Sequence, residues 1–399
     1  MLIKNAKIYG ENLQDLLIKD AKIVKIGANL DDNDEVLDAQ GMTLLPSFVD
    51  LCVNLKNDKF SLSNLELLEK ECLRGGVGAI ILRDCMDFDE ESFSLFLQNL
   101  KTRKIQIFPS ICALDKQGKL KNLATLFNKG AHALELKSSS NANILRVGMQ
   151  YALMKEKSIF VKCHDENFDD NGVMNDCETG FELGLAGMSA VAESSEVAKI
   201  QEIAKFYGVK VIFDLLSLKR SIELLEDENL KLISIHHLIK DDSACAGFNT
   251  AAKLNPPLRS KEDKESLKQA LKQGKIDFLS SLHSAKSISL KDLAFDEAAF
   301  GIHSVCEFMS LCYTFLIKED LLTWQNLCKA TSQNPSEFLG LNSGIIEVGK
   351  EANLVLFDEN EEIFAPKSSL YSEDKLFGKI KMHIIKGKNI LENKLYLNS

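Results

Sequence analysis

From about residue 47 to residue 284 the chain keeps one rhythm, in which short apolar, β-branched bursts alternate with longer amphipathic stretches. The bursts read "SFVDLCVNL", "GVGAIILRD", "KIQIFPSICAL", "AHALEL", "SIFVKCHD", "VKVIFDLL", "KLISIHHL" and "IDFLSSLHS". Each has strand length and strand composition, and none carries a helical period. Between several of them lie capped, helix-like runs. One is "SSEVAKIQEIAKFYG", with Ser194 or Ser195 as the expected N-cap; another is "SKEDKESLKQALKQG", ending on Gly274. Eight strands alternating with helical segments over roughly 280 residues match an α/β chain with a (β/α)8 barrel of TIM type in both count and length. A doubly wound open sheet is the competing arrangement.

The flanks follow a different style. Residues 2–45 show short apolar bursts punctuated by Gly10, Gly27 and Gly41, and "GIIEVGKEANLVLFDEN" and "KIKMHIIKGKNIL" repeat that style near the far end. Two β-rich flanks around a long middle predict one small β-sandwich domain assembled from both chain ends. The expected division is therefore 1–46 and 341–399 for the sandwich and 47–340 for the barrel.

Charge and cysteine usage narrow the class. With 48 basic and 58 acidic residues the formal charge is −10, without a basic run, so nucleic acid is excluded as a natural partner. Ten cysteines without a CxxC pair read as reduced thiols in a cytoplasmic protein. No apolar run of about 18 residues predicts a membrane span.

In a barrel of this kind, chemistry sits at the C-terminal ends of the strands. Reading those ends in order gives Cys52 and Asn54, Asp84, Cys112, Leu136, His164 with Glu166, Leu215, His236 with His237, and Leu282 with His283. Imidazole and carboxylate suit zinc, but here they are few and scattered.

Several blocks resemble the dihydroorotases of the amidohydrolase superfamily. The most specific is "KLNPPLRSKEDKESLKQALKQGKIDFLSSLHS" at 253–284, similar to that family's K-x-N-P-P-L-R block and eighth strand. "FDEAAFGIHSVCE", "NPSEFLGLNSGIIEVGKEANLVLFD" and the segment from "CHDENFDDNG" onward are similar to further blocks. The resemblance implies a metal-dependent barrel that opens a cyclic amide, with one or two metal ions making hydroxide and a carboxylate shuttling the proton.

The ligand positions depart from the family. Its first strand ends in H-x-H-x-R, where this chain has Cys52, Asn54 and Lys56. Leu136 falls at the bridging position of strand four, with Lys137 beside it and expected on the opposite face. His164 is the retained ligand of strand five. Leu215 replaces the strand-six histidine, with Ser217 kept, and Leu282 occupies the proton-shuttle position of strand eight. The family's asparagine after strand two is replaced within "LRDCMDF". No catalytic residue, metal or other cofactor is therefore expected, and the leucines carry that expectation because they can neither coordinate a cation nor accept a proton.

The residues left for a vestigial pocket are Cys52, Asn54, Lys56, Asp84, His164, Asn255 and His283. His236 and His237 read as packing residues. The resemblance implies a noncatalytic homologue that partners aspartate carbamoyltransferase in pyrimidine biosynthesis, within a homo-oligomer or a mixed assembly. Two alternatives stand beside it. One is a dihydroorotase or other cyclic-amide hydrolase with a rearranged zinc site drawn from His164, Glu166, Asp84, His236 or His283. The other is a metal-free sensor holding a carboxylate with Lys56, Arg83 or Asn255.

Overall fold

The computed structural model describes residues 1–32, 35–83, 88–169 and 171–391. The first five strands are β1 (Leu2–Ile8), β2 (Leu13–Lys19), β3 (Lys22–Gly27), β4 (Val36–Asp38) and β5 (Thr43–Pro46). Of the next seven, β6 (Phe48–Val53), β7 (Val77–Leu82), β8 (Gln106–Cys112), β9 (Ala133–Lys137) and β10 (Ser158–Lys162) belong to the barrel, while β11 (Met174–Asn175) and β12 (Gly187–Met188) form a minimal pair outside it. The barrel then continues through β13 (Val211–Asp214), β14 (Leu230–Ser234) and β15 (Phe278–Ser280). Last come β16 (Leu354–Ile363), β17 (Leu376–Ile385) and β18 (Lys388–Asn389).

The eight barrel strands pair in parallel in chain order, and all eight coincide with the apolar bursts of the sequence. A (β/α)8 barrel is thus the observed core, and an open doubly wound order does not occur. The seam between β15 and β6 closes mainly through one carboxylate. Asp50 is fully buried on β6 and accepts hydrogen bonds from Ser280 Oγ (2.5 Å), the Ser281 N–H (3.0 Å) and the Cys52 N–H (3.0 Å). Past it, the Asn54 N–H donates to the His283 carbonyl at 2.7 Å.

The flanking strands form one sheet around a separate apolar core that includes Ile3, Leu16, Ile18, Ile23, Leu44, Leu354, Leu356 and Ile384. Its key member is β5, parallel to β1 on one side and antiparallel to β16 on the other. Because successive side chains point to opposite faces, Leu44 enters this core while Leu45 enters the barrel core.

One helix boundary differs from expectation. The helix Ala190–Tyr207 is capped by Ser189, whose side chain accepts from the Val191 N–H; Ser195 lies inside it and donates to the Val191 carbonyl. The first turns are entered early because Glu193 has a buried task. Its carboxylate accepts from the Ser217 N–H (3.0 Å) and Ser221 Oγ (2.7 Å). The helix Lys261–Lys272 starts on Ser260, as its capping sequence suggests, and is followed by Gly274 in the left-handed region at φ +71°. Among the described residues, no helix is long and apolar enough to cross a membrane.

Candidate functional site

The C-terminal ends of the barrel strands surround a cavity of about 590 Å³. Cys52, Asn54, Leu215, Asn255 and Leu282 line it, as the sequence suggests. Arg83, offered by the sequence as a carboxylate holder, also lines it, and the remaining character comes from residues that the sequence reading placed elsewhere or passed over: Glu135, Lys137, Lys162, Asp214 and Lys286.

The strand alternation explains most of this. On β9 the side chains of Glu135 and Lys137 turn to the mouth, while Leu136 is buried outside the barrel, where its Cδ2 would lie 3.1 Å from a Cβ built on Gly148. The expectation that Leu136 faces the site and Lys137 faces away is therefore reversed. On β10 the residue at the mouth is Lys162. His164 lies beyond the strand end, where its ring pairs with Asp169 and its backbone N–H donates to Ser138 Oγ at 3.0 Å. Strand five therefore presents an ammonium group to the cavity, and His164 is spent on a loop contact.

The other expected histidines also turn away. His283 Nδ1 faces the N–H groups of Ser304 and Val305, each at 3.2 Å, and its Nε2 lies 3.6 Å from Glu71. His236 bonds the Tyr371 hydroxyl (2.7 Å) and the Ser281 carbonyl (2.9 Å); His237 bonds Ser234 Oγ (2.7 Å) and the Pro257 carbonyl (3.0 Å). Burial pushes His236 down to about 3 and His237 down to about 4, so both are neutral packing groups at pH 7. Lys56 sits in the turn Lys56–Asp58 and does not line the cavity. Asp84 lies outside the described residues.

At the centre of the mouth stands Arg83, 4% exposed at the end of β7. Its Nη2 donates to Asp214 Oδ1 at 2.7 Å and its Nε to the Leu51 carbonyl at 2.8 Å. Its Nη1 lies 3.6 Å from Glu135, and the guanidinium carbon sits 4.0 Å above the Phe160 ring. Burial alone would lower its pKa, but the Asp214 carboxylate above all, with Glu135, more than reverses that. The charge of Arg83 is thus consumed within the protein, and it is not the free carboxylate anchor that the sequence allowed.

Lys162 differs. Its Nζ donates to Asn255 Oδ1 at 2.8 Å, and burial first, then the neighbouring Lys137, lower its pKa. Arg259, from the intact P-P-L-R block, is buried away from the cavity. Its Nε donates to Ser217 Oγ (3.0 Å), and its Nη1 donates to Asn175 Oδ1 (2.9 Å) and the Met188 carbonyl (2.8 Å). It therefore ties the long loop after β10 to the barrel.

Comparison with known proteins agrees with this architecture. A model of the amidohydrolase family matches residues 184–390. A dihydroorotase of Ruminiclostridium cellulolyticum is 30% identical, with all of both chains covered. The chain is a dihydroorotase-like member of the amidohydrolase family. A probable dihydroorotase-like protein of Helicobacter pylori is 29% identical over 97% of each chain. Among solved structures, the L-hydantoinase of Arthrobacter aurescens superposes with a TM-score of 0.83 at 18% identity, covering 98% of this chain and 96% of its own; that likeness shows the fold.

The metal that resemblance to the family implies does not fit the mouth of this dihydroorotase-like chain. Cys52 is a single thiol that burial pushes far up, and Leu215 and Leu282 offer no lone pair. Strands four and five present ammonium groups, while Asp214 and Glu135 are engaged by Arg83. Among the described residues, no three His, Cys, Asp or Glu side chains converge as a metal site requires. What the mouth can do is bind by charge and hydrogen bonds.

The signals for this were present but faint. Lys162 lies two positions before His164 and so would share its face on a continuous strand; Glu135 and Lys137 flank Leu136 and share the face opposite to it. The Arg83 to Asp214 contact joins residues 131 apart in sequence and had no local mark.

Proposed function

We propose that this chain is a noncatalytic dihydroorotase-like protein that serves pyrimidine biosynthesis as a partner of aspartate carbamoyltransferase. The observation that supports a loss of chemistry is the Arg83, Asp214 and Glu135 ion cluster at the barrel mouth, with Lys162 of strand five lining the same cavity. Carboxylates already paired with cations leave no charge free for a divalent ion, and removing even outer groups around a metal costs about 10 to 100-fold in affinity or activity. The partner follows from family resemblance. Its chemical logic is that a barrel relieved of ring opening still presents a large folded surface.

Two measurements test the two halves. Metal analysis by mass spectrometry, on protein grown with added zinc and then desalted, is expected to give far less than one zinc per chain; stoichiometric zinc would restore the hydrolase reading. Size-exclusion chromatography with aspartate carbamoyltransferase from the same organism is expected to show co-elution and raised transferase activity. Independent elution at micromolar concentrations of both proteins would remove the partner.

A further inference from the structure

Among the described residues, charge accounting at the mouth leaves one cation without an ion pair. Of the four cations lining the cavity, Arg83 pairs with Asp214 and Glu135, and Lys286 pairs with Asp58. Lys137 reaches Glu166 at 3.3 Å, but both side chains are mostly exposed, so that pair is weak. Lys162 meets only the neutral Asn255 amide oxygen among the described residues. An ammonium group has three donors, and one of them is used here.

Lys162 and Lys137 are also register partners on adjacent parallel strands, and both line the same cavity. Two like charges side by side, one of them half-buried, repel each other and favour an anion between them. Elsewhere on the same cavity, the Asn54 carboxamide has no hydrogen-bond partner among the described residues. Part of the wall is apolar, formed by Leu215, Leu254, Leu282 and Phe300. A cavity of about 590 Å³ lies within the range of small-molecule sites, roughly 300–1,000 Å³.

We infer that the barrel mouth is an anion site in which Lys162 and Lys137 hold the oxyanion head of a small molecule whose body lies against the leucine and Phe300 wall. The polarity of the site is thereby inverted: two lysines that call for an anion stand among side chains that cannot hold a metal. Arg83 is not part of the binding set. It holds Asp214 and Glu135 in direct contact, so that Asp214 acts on Lys162 only through space and forms no ion pair with it. This inference shares the metal-free reading of the mouth and is independent of any transferase.

Isothermal titration calorimetry with succinate, N-carbamoyl-L-aspartate, inorganic phosphate and uracil tests it. At least one oxyanion is expected to bind with millimolar or better affinity while uracil, which lacks the charged head, does not. The carboxylate and phosphate arms then identify the head group. Lys162→Gln should weaken binding about tenfold or more, Lys137→Gln by less, and Lys162→Arg should retain most of it, since a charge-assisted hydrogen bond is lost only in the first two. Urea denaturation of the Lys162→Gln protein should show no loss of stability, because a partly desolvated charge without an ion pair has been removed. No heat from any oxyanion at millimolar concentration, or equal affinity in Lys162→Gln and the parent, would overturn the inference. Failure of the transferase experiment would leave both readouts unchanged.

Discussion

Replacing Arg83 by methionine tests whether the ion cluster at the mouth is as tightly bound as its geometry implies. The guanidinium is 4% exposed and makes its shortest contact, 2.7 Å, with Asp214, whose side chain is 10% exposed. Taking away one partner of such a pair leaves the other charge buried, at a cost of about 3–5 kcal/mol. Glu135, 21% exposed, is partly hydrated and adds less. The Leu51 carbonyl loses its donor as well, and the Phe160 face loses its cation. Urea denaturation followed by circular dichroism should therefore place Arg83→Met about 3–5 kcal/mol below the parent. The double variant Arg83→Met with Asp214→Leu should recover at least half of that, because apolar replacement of both members of a buried pair is often neutral or stabilising. The coupling from this cycle should be about 2 kcal/mol or more. A single-variant cost under about 1 kcal/mol, or a double variant equal to the sum of the singles, would refute a desolvated and mutually dependent pair.

Acid lability is the second expectation. Burial pushes His132, His237 and His383 down to about 4 and His236 to about 3, and drives His283 well below its ordinary value. Folded values below the unfolded one mean that this stability is present above about pH 6.5 and lost as the pH falls toward 4, at about 1.4 kcal/mol per proton per pH unit. Melting temperatures measured from pH 7.5 to 5 should fall steeply below 6.5, and a flat profile would contradict the burial of these rings. His303 behaves oppositely. Contacts with Cys306 and Glu71 raise it to about 10, so its contribution is fully present below about pH 6.5 and is lost as the pH rises through 10. The melting difference between the parent and His303→Gln should shrink over that alkaline range. At the seam, Asp50→Ala removes the acceptor of three hydrogen bonds and should cost about 3 kcal/mol or more by urea denaturation, since three buried donors lose their partner.

How much of this was legible in the sequence depended on range. All eight barrel strands were visible because each is a compact apolar burst, and burial of both faces leaves few polar interruptions. That Cys52, Asn54, Leu215 and Leu282 line the mouth was legible in the sequence, and identity alone decides what such side chains can donate. Facing was harder to read. His164 and Lys162 have equal claim to the mouth by alternation, and only the end of β10 at Lys162 separates them. Arg83 and Asp214 meet because β7 and β13 converge across the barrel, and no local pattern in either segment announces a partner on the opposite wall.

Strand β5 carries a consequence for the order of synthesis. It is made within the first 46 residues, yet its second hydrogen-bonding edge is filled by β16, which begins at Leu354. At roughly 5–20 residues per second, the ribosome needs on the order of 15–60 s to cover that interval. Through that time the first sheet has an open edge, and Leu44 lacks the cover later given by Leu354 and Leu356. An unpaired edge beside exposed leucine is a template for pairing with another chain. The nascent protein is most vulnerable while the barrel is being made, and a chain cut before residue 354 would keep that vulnerability permanently.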